Sequence, residues 1–154
     1  MWIRSRRTLE RLIDTAQVEA HLKQAEARSS GEIRVSVAPF FWGDVKRAAQ
    51  GAFARLGMHR TRERNGVLFF VVPARRRLVL LGDEGIHARV GQAFWEQVTA
   101  RVVERFRGGD FTGGLLLGID AVGDELARHF PSRGALDVNE LPDQVDFGQG
   151  PPPP

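Results

Sequence analysis

The sequence predicts an α/β fold, a three-layer α/β/α sandwich in which a small mixed β-sheet is flanked by helices on both faces. Two observations support this prediction. Apolar residues recur with helical spacing in four segments, and they alternate or form continuous runs in three shorter segments typical of strands. The predicted order is α-β-α-β-β-α-α, with a helix between the first two strands and only a short turn between the last two.

The first half of the chain contains two helices and one strand. An apolar stripe predicts a helix from Thr8 to about Arg28, which Ser29-Ser30-Gly31 ends. The segment from Glu32 to Ala38 alternates between polar and apolar residues, as in a strand with one partly covered face. Gly43-Asp44 then opens a second helix with a narrow stripe of small apolar residues, and Gly57 is a favourable C-cap for it.

The second half contains two strands and two helices. The continuous apolar run from Gly66 to Val72 is typical of a central strand that is covered on both faces. The turn before the strand from Arg77 to Leu81 is so short that the two strands must pair antiparallel, whereas the helical crossover favours parallel pairing of the first two. Apolar residues spaced by four predict helices from about His87 to Arg107 and from Phe111 to His129.

The length of 154 residues suggests one domain, which we place at residues 1–131. Residues 132–154 are rich in proline, glycine and acidic residues, and we expect a disordered or loosely docked tail. Residues 1–130 carry a net charge of +6 and residues 131–154 a net charge of −3. This mild asymmetry is weak support for a nucleic-acid partner.

Several classes of protein are excluded by composition. The chain has no cysteine, which excludes a disulfide scaffold, a thiolate zinc site, an iron–sulfur cluster and a cysteine nucleophile. No apolar run approaches the roughly 18 residues that span a bilayer, so we expect no transmembrane segment. The N-terminus is rich in arginine and lacks the apolar block of a signal peptide, which predicts a cytoplasmic protein.

Polar turns meet at one edge of the predicted sheet. The first two strands begin at this edge and the third ends there, which brings together Glu32, Asp83 and Glu84, and the start of the last helix could add Asp110. Carboxylates on turns, helped by Asn65 and backbone carbonyls, are the ligands of hard cations such as Ca²⁺ or Mg²⁺. This convergence predicts a cation site.

Each of these residues also has a structural interpretation. Asp110 is a favourable helix N-cap, Asp83 between glycines suits an ordinary turn, and Glu32 could be a solvated charge at a strand start. Asn65-Gly66 is a common turn dipeptide. The convergence of the turns, and no single residue, favours the metal interpretation.

Two further residues near this edge, together with Asn65, could bind a phosphate or another substrate. Arg64 could bind a phosphate, and His87 could act as a general acid or base, although a surface histidine at a helix start is the alternative. No Lys-Ser or Lys-Thr follows the glycines near residue 110, which excludes a P-loop. The turn Phe40-Phe41-Trp42 would offer a partner an apolar patch if it were exposed, but we expect it to fold back over the core.

Five short strings occur in a fixed order along the chain: Ser-Gly-Glu-Ile-Arg-Val (30–35), Arg-Asn-Gly-Val-Leu (64–68), Gly-Asp-Glu-Gly-Ile-His-Ala-Arg-Val-Gly (82–91), Phe-Trp (94–95) and Gly-Asp-Phe followed by Gly-Leu (109–115). In order and spacing they resemble the TPM-domain family, which includes a thylakoid-lumen protein of photosystem II repair and an auxiliary subunit of an acetylcholine receptor. The likeness covers roughly residues 8–131. The tail string Val-Asn-Glu-Leu-Pro-Asp (138–143) is similar to that of small bacterial members.

The resemblance implies an α/β/α sandwich with a cation site, often for Ca²⁺, in acidic loops at one sheet edge. Its loop acids fall here on Asp83, Glu84 and Asp110, with Glu32 nearby. Some plant members are described as acid phosphatases, whereas other members are non-catalytic. Many members are secreted or membrane-tethered, and this sequence differs from them because we predict neither a signal peptide nor a transmembrane segment.

These observations lead to three hypotheses about function. The first is a divalent-cation-binding domain, with Ca²⁺ the first candidate and Mg²⁺ the second, in a structural, regulatory or interaction role with a protein partner. The second is a metal-assisted phosphatase, in which the ion polarises a phosphoryl oxygen and Arg64 or His87 holds the phosphate. The third is nucleic-acid binding, which the lack of aromatic residues interleaved on a basic sheet face argues against.

Overall fold

The computed structural model describes residues 6–134 and 141–148, and they form an α/β fold. Two short 3₁₀ turns, at Met58–Arg60 and Pro73–Arg75, lie between the main elements. The main elements are α1 (Arg6–Leu12), α2 (Thr15–Arg28), β1 (Glu32–Val37), α3 (Val45–Arg55), β2 (Gly66–Val72), β3 (Arg77–Gly82), α4 (Glu84–Val90), α5 (Gln92–Arg107) and α6 (Phe111–His129).

The sheet is mixed and has the order β1-β2-β3. β1 runs parallel to β2, from Glu32 opposite Gly66 to Val37 opposite Val71. β3 runs antiparallel to β2, with Val67 opposite Gly82. The predicted fold class and both predicted pairings are therefore confirmed.

Helices cover both faces of the sheet because its central strand is apolar on both. Successive side chains of a strand point to opposite faces, so β2 supplies alternate residues to two cores. Val67, Phe69 and Val71 belong to the larger core beneath α2, α5 and α6, and Leu68, Phe70 and Val72 belong to the smaller core beneath α3. On the larger face α6 lies between α2 and α5. Gly118 allows the close approach of α6, since a Cβ there would lie 2.7 Å from a ring carbon of Phe69.

Two predicted helices are each interrupted. The segment expected to be one helix from Thr8 forms α1 and α2, because the Asp14 carboxylate accepts a hydrogen bond from the Gln17 N–H (3.1 Å) and caps a new helix. The segment expected to be one helix from about His87 forms α4, which already begins at Glu84, and α5. These two separate at Gly91, whose φ of 78° and ψ of 168° leave the helical region.

Part of the predicted tail packs against the sheet. The Val37 N–H donates to the Asp146 carbonyl (2.7 Å), and the Asp146 N–H donates to the Val35 carbonyl (2.9 Å), so this segment lies along the outer edge of β1. Leu141 and Val145 are buried in the two cores. These two apolar residues anchor a segment for which composition suggested disorder or loose docking, and residues 135–140 and 149–154 of the predicted tail lie outside the described residues.

The helices in the described part of the chain include none that is both long and apolar enough to cross a bilayer.

Candidate functional site

The structure brings three of the predicted turns to one edge of the sheet, here called the site edge, at the starts of β1 and β2 and the end of β3. The Glu32 N–H donates to the Asn65 carbonyl (3.4 Å), and the Asp83 N–H donates to the Gly66 carbonyl (2.9 Å). The Gly85 N–H at the start of α4 donates to the Arg64 carbonyl (2.8 Å). Glu32, Arg64, Asn65, Asp83 and Glu84 therefore lie on adjoining turns, as the sequence predicted.

Asp83 is buried and makes an ion pair with Arg64. The Arg64 Nε and Nη2 atoms donate to the two carboxylate oxygens at 2.6 and 3.0 Å, and the Glu84 N–H donates to Oδ1 at 2.9 Å. Burial alone would raise the pKa of Asp83, but these hydrogen bonds and the Arg64 charge hold it below its ordinary value. Arg64 reaches this position from a left-handed backbone conformation (φ 51°) that residues other than glycine rarely adopt.

Glu84 and His59 complete the surroundings of Arg64. The exposed Glu84 carboxylate lies 3.0 Å from Arg64 Nη1, and His59 Nδ1 lies 3.2 Å from Nη2 and 3.4 Å from the Asp83 carboxylate. A guanidinium thus occupies the space where the sequence predicted a metal ion. Within residues 6–134 and 141–148, no three His, Asp or Glu side chains are arranged to coordinate a metal ion as they stand.

Asp110 does not join the site edge. Its carboxylate accepts a hydrogen bond from the Gly113 N–H (2.8 Å) as the N-cap of α6, and it pairs with Arg105 (3.3 Å). The 19-residue helix α6 ends near the site edge, where the Ser30 N–H donates to the Phe130 carbonyl. Because a helix of this length spans about 28 Å, Asp110 lies at the opposite edge of the sheet. The capping interpretation of Asp110 is therefore confirmed.

Asn65 holds the turns of the site edge together. Its side chain is buried, and its Nδ2 donates to Ser30 Oγ (3.2 Å), which in turn donates to the Glu63 carboxylate (2.8 Å). The Asn65 N–H donates to Thr61 Oγ1 (3.0 Å). The Asn65 amide oxygen is buried without a hydrogen-bond partner among the described residues. These contacts assign Asn65 a structural role between the starts of β1 and β2.

His87 is held by a neighbouring indole. Trp95 Nε1 donates to His87 Nδ1 at 3.0 Å. An indole N–H can only donate a hydrogen bond. His87 Nδ1 is therefore the acceptor in this contact.

A second group of acidic side chains lies beside the site edge, and the sequence did not predict it. It comprises Glu26 in the last turn of α2, Glu32 at the start of β1 and Asp143 in the docked tail, and we call it the carboxyl cluster. Glu32 is almost completely buried, and Glu26 and Asp143 are half-buried. Burial, together with the hydrogen bonding and charge of Asp143 and Glu32, raises the pKa of Glu26 to about 10. Glu26 is therefore protonated at neutral pH.

The cluster escaped prediction because its members come from three separate elements. Asp143 belongs to a segment whose composition suggested disorder, and Glu26 lies within a helix where a surface glutamate is ordinary. The only signal in the sequence was the tail string at 138–143, which contains Asp143.

The comparison with known families agrees with this fold. The family model described as the TPM domain matches residues 9–125. The chain belongs to the TPM domain family. No curated protein matches the sequence.

Three solved structures share the architecture of this TPM domain. The BA42 protein from the psychrophilic bacterium Bizionia argentinensis is 34% identical, with a TM-score of 0.80, and the match covers 87% of this chain and 92% of that one. An N-terminal domain from P. gingivalis is 22% identical with a TM-score of 0.63, covering 77% and 81% of the two chains. The N-terminal domain of the cg2496 protein from Corynebacterium glutamicum is 18% identical with a TM-score of 0.57, covering 72% and 70%. The last two matches show a shared fold alone.

The positive charge near the carboxyl cluster of this TPM domain comes from two arginines. Asp146 is neutralised by Arg55, whose Nη2 lies 2.6 Å from its carboxylate, and it also accepts a hydrogen bond from Ser36 (2.7 Å). Arg34 is buried near Asp143 and donates to the Gln144 carbonyl (3.2 Å). The Arg34 guanidinium and the proton on Glu26 both reduce the negative charge of the three carboxyl groups.

Proposed function

We propose that this TPM domain binds a divalent cation at the carboxyl cluster, with Ca²⁺ as the first candidate and Mg²⁺ as the second. Glu26, Glu32 and Asp143 would supply the ligands after their side chains move, since they do not form a coordination set as they stand. The observation that carries the proposal is the meeting of three carboxyl groups from α2, β1 and the docked tail, one of them almost completely buried. Burial, together with the nearness of Asp143 and Glu32, raises the pKa of Glu26 to about 10. A bound divalent cation would favour the ionised form of Glu26 and so lower this pKa.

The charge and the chemistry of the cluster favour such an ion. Ionisation of Glu26 would add a negative charge to the cluster that a divalent cation could offset, and carboxylate oxygens are the preferred ligands of Ca²⁺ and Mg²⁺. No backbone N–H group among the described residues donates to the buried Glu26 Oε1 and Asp143 Oδ1 atoms, so loss of the Glu26 proton would leave both oxygens able to accept a ligand. Ca²⁺ comes first because it accepts irregular sets of six to eight oxygens at about 2.3–2.6 Å, whereas Mg²⁺ requires a near-octahedral set.

This site differs from the one predicted from the sequence. Glu32 is common to both, but Asp83 and Glu84 pair with Arg64 and Asp110 lies at the opposite edge. A cation at the Asp83 position would have to displace a bidentate guanidinium, whereas a cation at the carboxyl cluster displaces only a proton. The second exchange is the easier one at neutral pH.

The position of the cluster supports a structural or regulatory role. Its ligands would come from α2, from β1 and from the tail segment that lies along β1. A cation shared by these three elements would fasten the tail to the body of the domain. Binding and release of the ion would then control whether the outer edge of β1 is covered.

Calorimetric titration of the full chain with Ca²⁺ and then Mg²⁺ tests the proposal. We expect saturable binding of one ion per chain, with release of the Glu26 proton, which makes the heat depend on the ionisation enthalpy of the buffer. Glu26→Gln should abolish binding, and Glu84→Gln is the matched control because it changes an exposed glutamate beside Arg64. Absence of saturable binding at millimolar ion, or loss of binding in the control alone, would refute the proposal.

The phosphatase hypothesis gains no support from a specific observation. Arg64 is bound by Asp83 and Glu84, and the His87 Nδ1 atom accepts a hydrogen bond from Trp95. Neither side chain is directed to a shared substrate position by these contacts. Cation binding is therefore the function that we propose.

A further inference from the structure

The edge of the sheet opposite the site edge presents an exposed tryptophan. Trp42 follows β1 in the turn before α3, and 85% of its surface is exposed. It is the one large apolar side chain with such exposure among residues 6–134 and 141–148. The expectation that this turn folds back over the core is therefore wrong for Trp42, whereas Phe41 does pack against the smaller core.

The turn holds Trp42 in this exposed position. Arg75 Nη1 donates to the carbonyls of Phe41 (3.2 Å) and Gly43 (2.7 Å), and its guanidinium lies 5.5 Å from the centre of the Phe41 ring. Phe40 contacts the Trp42 ring edge to face, with ring centres 4.7 Å apart. The backbone on both sides of Trp42 is thus fixed, and the indole projects into solvent.

The exposed charged side chains at this edge of the sheet are mainly basic. Four exposed basic side chains lie at this edge, and none of them has an ion-pair partner in the described part of the chain: Lys46, Arg47, Arg76 and Arg77. The nearby Asp44 carboxylate accepts hydrogen bonds from the backbone N–H groups of Lys46 and Arg47 as the N-cap of α3. We call these four residues together with Trp42 the basic end.

We propose that the basic end binds the surface of a bilayer that contains anionic lipids, with Trp42 inserted among the headgroups. Tryptophan is the side chain enriched at the interface between headgroups and acyl chains. Exposed lysine and arginine are attracted to anionic headgroups, by about tenfold in affinity or less for each residue. One indole and four cations on short turns would give a shallow and reversible attachment.

The arrangement favours a lipid surface over a nucleic acid. Binding of single-stranded nucleic acid uses aromatic rings with open faces on which successive bases stack. At the basic end there is one exposed ring, and Phe40 packs against it at 90°. This pair offers apolar bulk for insertion but no row of stacking platforms. The basic end shares no residue with the carboxyl cluster, so the inference is independent of the proposed function.

Co-sedimentation of the full chain with lipid vesicles tests the inference. The vesicles contain phosphatidylcholine alone or with about 30% phosphatidylglycerol, in about 0.1 M salt. We expect binding only to the anionic vesicles and its loss in about 0.5 M salt, where the charges are screened. Trp42→Ala should weaken binding about tenfold, because it removes the inserted apolar surface.

A double charge reversal and a matched control distinguish binding through the basic end from general electrostatic attraction between the protein and anionic vesicles. Lys46→Glu with Arg47→Glu should weaken binding more than tenfold, and the fold should persist because acidic residues in the first turn of a helix are favourable. Arg128→Glu changes an exposed arginine in the last turn of α6, near the site edge, and should leave binding within about threefold.

Each of the following outcomes would overturn the inference. The first is equal binding to both kinds of vesicle. The second is an effect of Arg128→Glu as large as that of the double reversal, or no effect of Trp42→Ala. The third is binding of a single-stranded oligonucleotide that depends on Trp42 while neither vesicle binds.

Discussion

Replacement of Glu26 by glutamine should make the ion-free protein more stable at alkaline pH. The pKa of Glu26 is about 10 in the fold, against an ordinary value of 4.5. Between these values the folded chain holds a proton that the unfolded chain has lost. The free energy of unfolding therefore falls as the pH rises through this window, and glutamine, which does not titrate, removes that dependence.

The size of the effect follows from the pKa difference. One extra proton in the folded state lowers stability by at most about 1.4 kcal/mol per pH unit. Because Glu26 is half-buried, solvent screening reduces the pKa shift and so shortens the pH range over which this slope applies. We therefore expect the wild-type chain to lose about 1–2 kcal/mol between about pH 6 and about pH 9. The Glu26→Gln variant should lose less than half of that.

Urea unfolding in the presence of a chelator, followed by circular dichroism, measures both slopes. Glu84→Gln is again the control, since this exposed glutamate lies outside the carboxyl cluster, and it should keep the wild-type pH dependence. Identical slopes for the wild type and Glu26→Gln would refute the reasoning. That result would mean that Glu26 ionises freely in the fold and that the carboxyl groups are not crowded.

Three further predictions concern the site edge, the core and the tail. Asp83→Ala should lower the free energy of unfolding by about 2–3 kcal/mol, because it leaves Arg64 without its buried partner and α4 without its cap. A loss below about 0.5 kcal/mol in urea unfolding would contradict this prediction. Gly118→Ala should destabilise the fold by about 1–3 kcal/mol, because the added methyl group clashes with Phe69. Gly51→Ala, in an open position of α3, should stabilise the fold by up to about 1 kcal/mol. Equal shifts of the unfolding temperature in both variants would contradict this explanation. Saturating Ca²⁺ should slow hydrogen exchange of the Asp146 amide, which bonds to β1, and unchanged exchange would show that the ion does not fasten the tail.

The stability supplied by Asp83 also has a defined pH dependence. Its pKa is held below the ordinary value of 3.8, so its contribution is present above that value and is lost as the pH falls through the lower folded value. Acid unfolding of Asp83→Ala should consequently be less steep than that of the wild type.

Much of the fold could be predicted because its determinants are local. The continuous apolar run at Gly66–Val72 is typical of a central strand, and the short turn after it allowed only antiparallel pairing. The helix α6 has the predicted bounds because Asp110 caps it and a proline follows Phe130. The interruptions at Asp14 and Gly91 were missed because apolar spacing continues across both positions, and only the capping bond and the backbone angles show the breaks.

The candidate site was predicted less completely, for a physical reason. Pairing of the strands was enough to place Asp83 and Glu84 at one edge. Whether their carboxylates were available depended on the conformation of the preceding loop, which turns the Arg64 guanidinium onto Asp83. An ion pair of this kind forms between side chains on different turns, so the spacing of residues along the chain does not predict it.

The sequence by itself determined the TPM fold, the mixed sheet and the edge at which polar turns converge, because periodic burial and turn chemistry act between neighbouring residues. Only the tertiary structure decided which acidic side chains lie close to one another. Glu26, Glu32 and Asp143 meet because the tail docks along β1, and Asp110 is kept away from them by the length of α6. Burial and mutual repulsion arise only once the chain has folded, so the unusual pKa of Glu26 is a property of the fold and not of any segment.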